Sequence, residues 1–135
     1  MRDIWGAAHT PPMPLALVVD DEPNIRALIE VTLQMEGFET VSVADGISAL
    51  ELAATRRPDV ITLDVMMPGM DGWEVARRLD GSGIPIVVVS GKGSSELESA
   101  PGREHATAVL PKPFDFNALV EVVQRAVAPA PRPAS

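Results

Sequence analysis

The sequence predicts a doubly wound α/β fold. This is a (βα)5 three-layer sandwich with a parallel five-stranded sheet of order 2-1-3-4-5. Three observations predict it. Five short apolar runs alternate with segments of helical character, the pattern of a parallel sheet covered on both faces. The first run is apolar throughout rather than alternating, as a strand buried on both faces must be. Right-handed crossovers between parallel strands then place helices on both sides of the sheet.

Leu15–Val19 reads as the first strand. Pro23 suits the first turn of the following helix, where its missing N–H is no loss. Ile25, Leu28, Ile29 and Thr32 share one face of it, and Gly37 ends it. Thr40–Val43 is a second strand, and Asp45-Gly46 opens a helix carrying Ile47, Leu50 and Ala54. Val60–Leu63 is a third strand, stopped by Asp64, and Asp71 caps a helix with Val75, Ala76 and Leu79 inward. The β-branched run Ile84–Val89 is a fourth strand. Residues 93–105 are poorly defined, with Ser94–Ala100 making two turns at most before Pro101-Gly102 breaks the helix. Ala108–Leu110 is a short fifth strand, and Asp115 caps a last helix with Leu119, Val122, Val123 and Ala126 inward.

The length of 135 residues fits one domain, and a hydrophobic content of 46% suffices for a core. That domain is expected over residues 15–128, after a loose leader at 1–14 and before a Pro/Ala-rich tail at 129–135. With no cysteine, a disulfide scaffold, a thiolate metal site and a cysteine nucleophile are excluded. No apolar run is long enough to span a membrane and no signal peptide is visible, so membrane insertion is not expected. Net charge is −8 with scattered Arg and Lys, so direct nucleic-acid binding is not expected either.

In a doubly wound sheet, ligands bind beyond the carboxyl ends of the strands. Asp20, Asp21 and Glu22 follow the first strand, Asp64 the third, Ser90 the fourth and Lys112 the fifth. Strands one and three are neighbours in the order 2-1-3-4-5, which brings Asp20, Asp21 and Asp64 to one pocket. Crowded carboxylates resist ionising together, and a divalent cation relieves this. Oxygen ligands without His or Cys favour Mg2+. Lys112 would add a point charge beside an incoming phosphoryl group, Ser90 a hydroxyl donor, and Asp64 a nucleophile. The residues thus point to phosphoryl transfer onto an aspartate.

The stretches Val18-Val19-Asp20-Asp21-Glu22, Leu63-Asp64-Val65-Met66-Met67-Pro68-Gly69-Met70-Asp71-Gly72, Val89-Ser90-Gly91 and Lys112-Pro113-Phe114 resemble the motifs of the response regulator receiver domain. The resemblance covers about residues 15–128. It implies a cytoplasmic bacterial protein of two-component signalling, with Asp64 accepting a phosphoryl group from a sensor histidine kinase or a histidine phosphotransfer protein. It implies that Asp21, Asp64 and the backbone carbonyl of Met66 ligate Mg2+ directly, and that Asp20 acts mainly through a metal-bound water. Ser90 and Lys112 would hold phosphoryl oxygens, and the peptide before Pro113 would be cis. Its own chemistry would be limited to self-phosphorylation and slow self-dephosphorylation, with an unknown downstream protein reading the state.

The chain departs from the family where output is formed. Val109 stands where receivers carry Tyr or Phe, His105 stands where they carry Gly, and Pro101-Gly102 interrupts the fourth helix. Met66 and Lys92 occupy positions that in this family tune attack of water on the acyl phosphate, and Trp73 is expected to pack on a helix surface. Three alternatives stay open. One is a phosphorylation-independent interaction module, favoured by the altered output face. Another is a haloacid-dehalogenase-like phosphatase, opposed by Met66, where such enzymes carry a second acid. The third is a transcription factor cut short at Pro129.

Overall fold

The computed structural model describes residues 13–127, so the expected tail at 129–135 and all but the end of the expected leader lie outside the described residues. Strands β1 (Leu15–Val19), β2 (Glu39–Val43), β3 (Val60–Leu63), β4 (Ile86–Ser90) and β5 (Ala108–Pro111) form one parallel sheet of order β2-β1-β3-β4-β5. Between them run α1 (Pro23–Met35), α2 (Gly46–Arg56), α3 (Gly72–Arg78) and the short α4 (Ser94–Glu98), with α5 (Phe116–Val127) last. A single 3-10 turn, Arg103–His105, lies between α4 and β5.

Strand alternation sorts the core into two layers. Leu17, Val19, Ile61, Leu63, Ile86 and Val88 face α2, α3 and α4, and Leu97 of α4 joins them. Ala16, Val18, Val60, Val87 and Val89 face α1 and α5, packed by Ile29, Leu33, Leu119 and Val123. β1, β3 and β4 are buried along their whole length, as their unbroken apolar runs require.

The caps hold as the sequence predicts. Asp45, Asp71 and Asp115 accept hydrogen bonds from the backbone N–H of Ser48, Glu74 and Ala118 at 2.7, 3.0 and 2.7 Å. Two helices are rotated from expectation. In α1 Thr32 and Leu33 are buried with Ile29 while Leu28 turns outward, and in α2 Ala49 and Ala53 are buried while Ile47 and Ala54 are exposed. Small residues sit inward in α2, which lets that helix approach the sheet closely. β4 begins at Ile86 rather than Ile84, after Pro85, which has no N–H for the ladder. α4 stops at Glu98, as the Pro-Gly break demands. Gly72 opens α3 against the loop after β3. A Cβ there would lie 2.5 Å from the Asp64 carbonyl oxygen and 2.6 Å from the Val65 Cα, so no larger residue fits without moving backbone.

Candidate functional site

The carboxyl edge of β1, β3, β4 and β5 collects the residues that the sequence singles out. Parallel pairing carries the register past the strand ends: the Asp64 N–H donates to the Val19 carbonyl at 3.0 Å, and the Asp20 N–H to that of Val43 at 3.3 Å. The Lys112 N–H reaches the Ser90 carbonyl at 2.6 Å. The acids at the ends of two neighbouring strands therefore come together because the strands do.

Asp20 and Asp64 are buried and Asp21 is exposed, and one carboxylate oxygen from each lies within 4.8 Å of the others. The Lys112 ammonium joins the two buried acids, 2.9 Å from Asp20 Oδ2 and 3.5 Å from Asp64 Oδ2. Each acid is also oriented by backbone. Asp20 Oδ1 accepts from the Glu22 N–H and Asp64 Oδ1 from the Met66 N–H, both at 2.9 Å. The peptide between Lys112 and Pro113 is cis.

Burial pushes the Asp64 carboxyl above its ordinary pKa. The Met66 N–H and Lys112 pull the other way, and the Asp20 charge adds to the rise. For Lys112, burial works against the charge, but the hydrogen bond and charge of Asp20, with Asp64 behind it, outweigh this and hold the ammonium above its usual value.

Ser90 is fully buried, and its Oγ has no hydrogen-bond partner among the described residues. Alternation along β4 puts it on the α3/α4 side of the sheet with Ile86 and Val88. Thr62, two residues before Asp64, carries the other such hydroxyl among the described residues. Met66 lies in the loop after Asp64 with its side chain largely exposed, and Lys92 is exposed. One contact escaped the sequence reading: Arg26 Nη1 donates to the Asp20 carbonyl at 2.8 Å, tying the first turn of α1 to the acidic loop. An arginine one helical turn after the acids is its only sequence trace.

The donor set fits a hard divalent cation. It is all oxygen, two of the carboxylates are buried in mutual repulsion, and the third is exposed at the mouth. A cavity of about 670 Å3 lies elsewhere, at the amino ends of the strands among Asp59, Asp80, Pro85 and Thr107.

Comparison with known proteins agrees with this geometry. A model of the response regulator receiver domain family matches residues 16–124. The response regulator MprA of Mycobacterium tuberculosis is 40% identical over 106 residues, which are 77% of this chain and 46% of MprA. The chain thus spans about half the length of the curated relatives it matches. Among solved structures, the chemotaxis protein CheY4 of Vibrio cholerae superposes with a TM-score of 0.77 at 36% identity, covering 84% of this chain and 98% of that one. The response regulator TrrA of Thermotoga maritima, solved in complex with Mg2+-BeF, gives 0.78 at 34% identity, covering 84% and 99%.

Proposed function

The chain belongs to the response regulator receiver domain family of bacterial two-component systems, and from this premise we propose that Asp64 accepts a phosphoryl group from a histidine kinase or histidine phosphotransfer protein. One observation carries the proposal: two buried carboxylates at adjacent strand ends share the Lys112 ammonium beside an exposed third acid. That is a built anionic pocket with one fixed cation, and an acidic loop that merely capped α1 would need neither the burial nor the lysine.

The residues divide the work. The Asp64 carboxylate attacks phosphorus as the donor's P–N bond breaks, the electron pair leaving with the imidazole. Burial makes that carboxylate more basic and so more nucleophilic, while the Met66 N–H and Lys112 favour its ionised form. Lys112 is placed to turn from Asp20 to a phosphoryl oxygen. Ser90 brings a donor that no group among the described residues uses, and a phosphoryl oxygen would satisfy it. Asp21, Asp64 and the Met66 carbonyl are the proposed Mg2+ ligands, with Asp20 behind them. When bound, the ion neutralises charge on the transferring group.

In this reading the functional unit is residues 15–128, acting in the cytoplasm as a phosphoacceptor switch for a downstream protein rather than as a turnover enzyme. Among the described residues no helix is long and apolar enough to cross a membrane. Acetyl phosphate with Mg2+ should add one base-labile phosphoryl group, read by intact mass, and Asp64→Asn should abolish it. Equal labelling of the Asn variant would overturn the assignment.

A further inference from the structure

Three features that play no part in the phosphoryl chemistry meet in one place. Trp73 of α3, the Pro101-Gly102 break and His105 line a cleft of about 310 Å3 between α3 and the connector from α4 to β5. Gly102 has φ +96, and a Cβ there would sit 3.5 Å from Trp73 Cβ and Cε3, so the indole lies against the glycine. Trp73 is itself only partly buried. The break in the fourth helix thus leaves an aromatic wall facing an open cleft.

The charges around that wall are unequal. Arg77 and Arg78 both pair with Glu74, whose carboxyl their hydrogen bonds hold down at about 2. Arg103, on the connector, pairs with Glu98 at 2.8 Å. Of the acids lining the cleft, Asp71 gives one oxygen to its helix cap and Glu104 has only the His105 imidazole at 3.5 Å. Glu104 and Asp71 are exposed and, among the described residues, face no arginine or lysine in an ion pair. Among the described residues the cleft therefore offers an indole and two carboxylates without an arginine or lysine partner, while its own arginine, Arg77, is occupied.

We propose that this cleft seats a guanidinium or ammonium side chain from a basic segment of a partner protein, stacked on Trp73 and held by Glu104 and Asp71. An indole with acids at its rim recognises a cation through its π face and through charge-assisted hydrogen bonds. At 310 Å3 the cleft is at the small end of ligand pockets, ~300–1,000 Å3, so it takes one anchoring side chain rather than a whole metabolite. The surrounding negative charge of the chain, −8 overall, steers a basic rather than an acidic partner to it.

The test uses the full chain carrying Trp5→Phe, so that Trp73 is the only tryptophan. A short arginine-containing peptide is titrated at low salt while indole emission and backbone amide shifts are followed, with the citrulline peptide as the neutral isostere. Saturable changes at Trp73, Gly102 and Glu104 with arginine and none with citrulline are expected. Trp73→Leu should weaken binding about two- to fivefold, the size of an exposed cation–π contact. Glu104→Gln, an exposed change that leaves the fold alone, should weaken it too, and the distant Glu121→Gln should not. Equal binding of the citrulline peptide, equal losses at Glu104 and Glu121, or shifts confined to other surfaces would overturn the proposal. Phosphorylation of Asp64 is scored alongside and should be the same in the Glu104→Gln variant.

Discussion

Replacing Lys112 by Met keeps most of the unbranched apolar stem and removes the ammonium between Asp20 and Asp64. The ammonium lies 2.9 and 3.5 Å from the two carboxylates, with side-chain exposures of 19%, 1% and 7% for Lys112, Asp20 and Asp64. At an effective dielectric constant near 20 the two attractions amount to roughly 5 kcal/mol each before desolvation is counted. Desolvation cancels much of that in the intact site, but removing one partner leaves the buried charges uncompensated, at a cost of ~3–5 kcal/mol. The expected loss is about 3 kcal/mol at pH 8, a large part of the stability of a typical domain, ~5–15 kcal/mol.

The loss should depend on pH. Because the folded pKa of Lys112 lies above 10.5, its stabilisation is complete below 10.5 and disappears only as pH rises through the higher folded value. Asp64 has the opposite effect. With a folded pKa above 3.8, ionising it costs stability, and the cost is incurred as pH rises from 3.8 through the raised value. Without Lys112 that value climbs further, so the deficit of the variant should narrow as pH is lowered, for instance from 8 to 5, and widen as pH rises. Urea unfolding by circular dichroism at both pH values, without Mg2+, reads the difference as a shift of midpoint at constant slope. A variant as stable as the parent at pH 8, or one hurt equally at pH 5 and pH 8, would refute the picture of a buried acid pair held by one lysine.

Two further outcomes separate the roles within the site and its output. Asp21→Ala should weaken Mg2+ binding more than Asp20→Ala, because Asp21 is exposed at the mouth and forms no ion pair among the described residues, while Asp20 is buried against Lys112; calorimetric titration of Mg2+ would show equal or inverted losses if this is wrong. Hydrogen exchange with and without beryllofluoride should show altered protection across residues 91–105, and unchanged protection with Asp64 occupied would count against a switch in that segment.

The strands were legible because each had one physical signature. Leu15–Val19 and Val60–Leu63 are apolar throughout, are buried throughout, and keep the bounds that the sequence predicts. The acidic site was legible for the same reason, since chemistry that begins where an apolar strand stops must lie at the sheet's edge. Helix phase was less legible. Leu28 and Ile47 are as apolar as their neighbours, and which of them turns inward is set by where the helix leaves its strand, a tertiary matter. The Arg26 contact to the Asp20 carbonyl and the meeting of Trp73 with Gly102 join residues 6 and 29 positions apart, and nothing in either residue type announces such a contact. Pro101-Gly102 told where α4 must end, but not that the break would open a cleft beside α3.

The weak part of this fold is also the part beside Ser90. Val109 pairs in register with Val88, one residue before Val89 and two before Ser90, and it is a partly buried β-branched residue with little freedom to swing. No aromatic side chain stands at position 109 to change rotamer there. Between Ser90 and Ala106, however, Leu97 is the one fully buried side chain among those described. Burying a leucine is worth about 1.5–3 kcal/mol. A charge-assisted hydrogen bond from the Ser90 hydroxyl to a phosphoryl group is worth about 1.5–3 kcal/mol, and that hydroxyl has no partner among the described residues to give up. The two energies are of equal size, so if a phosphoryl group draws Ser90 toward Asp64, Leu97 and with it the five-residue α4 should lose protection from hydrogen exchange. The same connector carries Gly102 and Glu104, so a change at Ser90 should reach the Trp73 cleft through continuous chain.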